Sequence, residues 1–123
     1  MVDKFGLKNR TKVFAHNCVK FASSLPKNKL GNHIEGQLIR SASSVAVNYR
    51  AVLLAQSDAT FSAKLSIVIE EVDECDFWIE FALDENIASG MEASPLMKEA
   101  KELTSIFIAS RKTIQEKNKK NIH

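Results

Sequence analysis

The chain is poor in everything that interrupts or staples a fold: its 123 residues include two prolines, four glycines and two cysteines. With so few breakers, long helices are permitted. Two cysteines exclude a disulfide framework. Cys18 and Cys75 each sit inside a helical apolar pattern, as reduced core residues of a cytoplasmic protein do. No stretch approaches about 18 consecutive apolar residues, so no membrane span is expected. The first residues lack the apolar block of a signal peptide. Nowhere does period-two alternation mark a strand. Catalytic signatures are equally scarce. There is no glycine-rich phosphate loop. No histidine lies three residues after a glutamate, since His16 follows Val13 and His33 follows Leu30, which removes the Glu-x-x-His pairs of di-metal bundles. Ser43 and Ser44 lack a nearby histidine, and Cys18 lies two residues from His16, a spacing that points them to different helix faces. These absences predict a protein that is not an enzyme and carries no metal and no cofactor.

What is present is helical periodicity. The stretch from Asp58 to Glu85 carries two seams. Phe61, Leu65, Val68, Val72, Cys75, Ile79 and Ala82 step 4-3-4-3-4-3, the spacing of a buried bundle stripe. Ile67, Glu71, Glu74, Trp78 and Phe81 step 4-3-4-3 on a second side, rotated by roughly 100°. Two seams predict a helix wedged between neighbours on different sides. A first helix is expected over 8–25, with Phe14, Cys18, Phe21 and Leu25 as its stripe and Leu25-Pro26 as its end. A second over 29–56 carries Ile34, Leu38, Ala42, Val45, Tyr49 and Val52, with Gly31 and Gly36 weakening its first turns. It is apolar round most of its girth, which argues for a central position. The third is expected over 58–86, capped by Ser57 or Asp58, with Gly90 as a left-handed stop beyond it. Ser94-Pro95 reads as the start of a fourth helix over 94–116, followed by a frayed basic tail over 117–123. The whole predicts one all-α domain over 1–123, an antiparallel up-down-up-down four-helix bundle.

The charges are segregated. Residues 1–50 carry nine Lys/Arg against Asp3 and Glu35, a net of +7. Residues 51–110 carry a net of −9, from three Lys and twelve Asp/Glu, and residues 111–123 a net of +4, from five Lys/Arg and Glu116. Such blocks pair within the chain, pair between subunits, or leave a basic end for a polyanion. The candidate phosphate contacts are Lys8, Lys12, Lys20, Arg111, Lys112, Lys117, Lys119 and Lys120. Glu71 and Glu74, set among aromatics, require partners, and Arg40, Asn48 and Arg50 are the available ones. Phe77, Trp78 and Phe81 at helical spacing read as core or subunit interface.

Several pieces occur together and in order: Leu38-Ile39-Arg40-Ser41-Ala42-Ser43-Ser44-Val45, Asn48-Tyr49-Arg50-Ala51, Phe61 with Lys64-Leu65, and Glu71-x-Asp73-Glu74 leading to Phe77-Trp78-Ile79. Over roughly residues 8–115 they resemble the four helix bundle protein family, some of whose members are encoded in intervening sequences of bacterial 23S ribosomal RNA genes. The resemblance implies a bundle that assembles into a homopentameric ring and brings no catalytic residues with it. A more distant relative, the accessory protein of diversity-generating retroelements, implies contact with nucleic acid and with a nucleic-acid-processing protein. Two expectations follow: a non-catalytic homo-oligomeric adaptor that binds RNA or DNA weakly through its basic surface, or a protein–protein scaffold with no nucleic-acid contact. Neither involves a membrane.

Overall fold

Helix α1 begins where the stripe begins. Leu7, Thr11, Phe14, Cys18 and Phe21 repeat every three or four residues and are all buried, so the helix extends over Lys4–Ser23 and starts earlier than the expected residue 8. Thr11 enters that stripe because its hydroxyl donates back to the Lys8 carbonyl at 2.9 Å. Past Ser23 the chain tightens, with Leu25 N–H on the Ala22 carbonyl, and Leu25 drops into the core while Pro26 stays outside. The computed structural model describes residues 4–121. Three further helices follow: α2 (Lys29–Leu53), α3 (Asp58–Asp84) and α4 (Gly90–Asn121). The described residues contain no strand.

The α1–α2 turn depends on Gly31. Its N–H donates to the Asn28 side chain at 2.9 Å, and a Cβ built there would sit 1.8 Å from the Pro26 carbonyl oxygen. Gly31 is thus the close-approach residue of the turn, whereas nothing lies within 4 Å of a Cβ at Gly36. Ser57 caps α3 by accepting from Thr60 N–H at 3.0 Å. The left-handed residue after α3 is Asn86, at φ 59°, and Gly90 opens α4 where the sequence suggested a stop. Asparagine tolerates that backbone region better than other side chains that carry a Cβ. The cap of α4 is Ser89, whose hydroxyl accepts from Glu92 N–H at 3.2 Å, so Ser94 and Pro95 lie inside the helix. The earlier start places Ala93 in the core, in register with Leu96, Ala100, Leu103 and Phe107. At the other end α4 remains helical through Asn121, so 117–121 of the expected tail are regular helix and 122–123 lie outside the described residues.

Each helix packs on the next in sequence, and α4 also touches α1. Along the α3–α4 seam Asp58 faces Lys117, Ser62 faces Gln115, Ser66 faces Arg111 and Asp76 faces Lys101. As the number rises on one helix it falls on the other. The core holds Phe14, Ile34, Leu38, Leu65, Ile79, Leu103 and Phe107 fully buried, with the Tyr49 and Phe107 rings 5.4 Å apart. Two buried thiols lie among them. Cys75 Sγ donates to Ser41 Oγ at 3.5 Å, and Ser41 Oγ donates to the Gln37 carbonyl at 3.0 Å. A hydrogen bond to Cys75 together with burial pushes the Cys18 thiol well above its ordinary value. Both cysteines are fully buried core groups, closed off from solvent.

Candidate interaction surfaces

Three of the five residues expected to form a polar network come together. Arg40 on α2 donates to Glu71 at 3.4 Å and to Glu74, both on α3. Glu74 Oε2 also accepts from Trp78 Nε1 at 3.3 Å. The hydrogen bond it donates to Glu74 holds the Arg40 guanidinium above its ordinary value. Arg40 is 50% exposed and Glu74 35%, so the network lies at the edge of the bundle rather than in its interior. Asn48 does not join it. Its Nδ2 donates to the Ser44 carbonyl at 2.9 Å and to Ser44 Oγ at 2.8 Å, within its own helix. Arg50 does not join either: it is exposed and lines a groove on the other side of α2.

Beside this network is an aromatic cluster. Phe77 meets Trp78 edge-on at 4.9 Å and stacks on Phe81 at 5.7 Å, while His33 of α2 meets the Trp78 edge at 5.5 Å. Trp78 and Phe81 are half-buried against the core, and Phe77 is 53% exposed. The second seam of α3 is thus an open edge within a single chain. On α2, which lies between α1 and α3, the outer face is open as well: Val47 is 65% exposed, and Ser43 and Arg50 share that face.

The eight candidate phosphate contacts are distributed over both ends. Lys4 and Leu7 share a cavity of about 400 Å³ with Ser110, Thr113 and Ile114, so the start of α1 and the late part of α4 lie at one end of the molecule. Lys8 and Lys12 are exposed near that end, as are Lys112, Lys119 and Lys120. Lys20 lies toward the opposite end, beside Ser24 and Glu92. Arg111 is half-buried and donates to Ser66 Oγ at 3.1 Å, and Lys117 is 3.9 Å from Asp58.

A fork of two ion pairs between α1 and α4 had no sequence signal. Arg10 on α1 holds Glu99 on α4 through two bonds of 2.7 and 2.6 Å and reaches Glu102 at 2.8 Å. Eighty-nine positions separate Arg10 from Glu99, and no periodicity connects them. This fork ties α1 to the first half of α4. Among the described residues no group of three or more His, Cys, Asp or Glu could hold a metal ion, and no helix is long and apolar enough to cross a membrane.

No curated protein matches this chain. The fold is similar to the crystal structure of a protein of unknown function from the S23 ribosomal protein family of Bacteroides thetaiotaomicron VPI-5482. The TM-score is 0.76 at 24% identity, over 85% of this chain and 97% of that one. The expected resemblance holds along most of the sequence: the family model of the 23S rRNA-intervening sequence proteins matches residues 4–109, and the chain belongs to that family.

Proposed function

We propose that this chain is the subunit of a non-catalytic, homo-oligomeric adaptor of the cytoplasm. The reading takes the subunit as an up-down-up-down bundle that closes into a ring, five-membered by the resemblance of its sequence. The opposite order of contacts along the α3–α4 seam supports the bundle topology. The observation that carries the assembly is a pair of apolar side chains that a single chain leaves open on two faces, Phe77 at 53% exposure on α3 and Val47 at 65% on α2. Light scattering at micromolar concentration tests it: a mass several times 13.7 kDa is expected, and a stable monomer overturns it.

The adaptor's ligand on this reading is nucleic acid, held weakly and without sequence preference, alone or with a nucleic-acid-processing protein. Lys112, Lys119 and Lys120 supply the contacts from α4, with Lys8, Lys12 and Lys20 from α1. Affinity should fall with salt by about 0.7 log units per phosphate for each tenfold change in salt on a single strand. Removing residues 115–123 should flatten that slope while leaving the buried core intact. No gel shift with mixed RNA at about 50 mM salt overturns the nucleic-acid reading. A specific observation favours the protein scaffold as the second reading: Arg111 and Lys117 are already engaged by α3, and Lys20 lies beside Glu92.

A further inference from the structure

The outer ridge of α3 and the outer groove between α1 and α2 are opposites. On α3, Ile67, Glu70, Asp73, Phe77, Glu80 and Asp84 follow one another at helical spacing and all face away from the core. Four of these six are carboxylates, and among the described residues none of the four is in an ion pair. Phe77 stands in the middle of the row as its largest apolar knob.

The groove has the converse chemistry. It encloses about 450 Å³ over the small side chains of Ala15, Val19 and Ala46, with Val47 on its wall. Lys8, Lys12 and Arg50 stand on its rim, and among the described residues they too make no ion pair. Inside one chain the adjacent face already shows this pairing satisfied, where Arg40 of α2 meets Glu71 and Glu74 of α3. One helix face further out, among the described residues, other cations and other carboxylates stand unpaired on surfaces of one chain that do not meet each other.

We infer that the α1–α2 groove receives the outer ridge of α3 from a second copy of this chain. Phe77 of one copy seats on the small-residue floor of the other, and the ridge carboxylates face Lys8, Lys12 and Arg50. The assignment rests on the homo-oligomeric reading above and supplies its geometry. Two different patches meet, so the contact is heterologous: repeated copy after copy it closes into a ring or runs on as a filament. An aliphatic floor suits a phenyl ring, whereas a nucleobase is held by aromatic platforms, of which the groove offers only His16 at its edge. The assignment also withdraws Lys8 and Lys12 from the phosphate contacts, leaving α4 and Lys20 for them.

Charge reversal tests it on the full chain. Lys12→Glu with Arg50→Glu reverses the groove, and Glu70→Lys with Glu80→Lys reverses the ridge. All four positions are exposed, so helicity by circular dichroism should be unchanged. Each double variant should dissociate at a concentration at least about tenfold higher than wild type, because like charges then oppose each other. All four substitutions in one chain should restore the wild-type mass by light scattering. Phe77→Ala, which leaves the charges alone, should weaken assembly as well. If both double variants keep the wild-type mass, the interface lies elsewhere and the inference fails while the homo-oligomer stands. A wild-type monomer removes the homo-oligomer itself. If groove reversal abolishes binding of a mixed-sequence single-stranded RNA without changing the mass, the groove belongs to a polyanion and the inference is overturned.

Discussion

The two seams of α3 share a period and differ in what they do. Leu65, Val68, Val72, Cys75, Ile79 and Ala82 are all 0% exposed, closed off by the other helices of the same chain. Glu71, Glu74, Trp78 and Phe81, on the same helix at the same spacing, are half-buried, and Ile67 at the end of their row is exposed. Periodicity places residues on one side of a helix but does not say how deeply that side is covered. Carboxylates mark the difference: a charged group shut away from water costs several kcal/mol unless fully paired, so a row containing two of them is satisfied best at an edge. There Glu74 serves both Arg40 and Trp78 while still partly hydrated.

The comparison can be broken most sharply from the inside. Ile79→Ala opens a cavity in a fully buried stripe and should destabilise the chain by about 2–5 kcal/mol. In a domain of this size each kcal/mol moves Tm by roughly 3–6 °C, so the loss should be plain in a thermal melt. A change below about 1 kcal/mol in urea unfolding would show that the inner seam can collapse around the gap. The α1–α2 turn gives a second large effect in a pair of glycines. Gly31→Ala forces a methyl against the Pro26 carbonyl and should lower Tm. Gly36→Ala meets nothing and should raise stability by about 0.5–1 kcal/mol through helix propensity.

Those glycines show where the sequence is legible and where it is not. Both were read as helix weakeners, because propensity is a property of one position. The approach of Pro26 to Gly31 exists only once the turn is closed. The inner stripes of α1, α2 and α3 were readable because burial repeats every three to four residues. The start of α4 was misplaced because Ser94-Pro95 is a good local signal. The extra turn is held by the Ser89 cap and by burial of Ala93, and burial is a tertiary fact. For the polar network, the need of Glu71 and Glu74 for partners pointed to Arg40, Asn48 and Arg50 alike, and could not tell that Asn48 would bond back to Ser44 or that Arg50 would face α1. The Arg10–Glu99 fork lay beyond any local pattern.

The outer seam should respond less than the inner one. Glu74→Ala removes an acceptor shared by Arg40 and Trp78, but the Arg40 pair is half-exposed and therefore worth about 1 kcal/mol or less. A double-mutant cycle between Arg40→Ala and Glu74→Ala should return a coupling of about 0.2–1 kcal/mol that shrinks with added salt. Coupling above about 3 kcal/mol would mean that the site is closed in solution, as it would be under a second copy. Trp78→Phe deletes the donor to Glu74 and trims the half-buried indole to a phenyl ring, so its cost combines one hydrogen bond with a modest loss of packing.

The smallest effect also has an informative sign. Glu70 is the immediate neighbour of Glu71, yet a step of about 100° round the helix takes it from the half-buried row to the exposed ridge. There it has Asp73 at i+3 and Glu74 at i+4, and among the described residues it has no cation partner. Like charges at those spacings repel by about 0.2–0.5 kcal/mol. In the isolated chain Glu70→Gln should therefore stabilise slightly, raising Tm by about 1–2 °C at low salt, with the gain fading as salt screens the ridge. The Ile79 change acts in the opposite direction and is indifferent to salt. In an assembly that covers the ridge with Lys8, Lys12 and Arg50 of a second copy, the same substitution removes an attraction. The sign should then reverse, with Tm falling for the oligomer while it rises at dilutions where the chain is monomeric. Melts of Glu70→Gln and wild type across a concentration series read that sign directly. A gain in Tm that is the same at every concentration would show that the ridge of α3 stays in water.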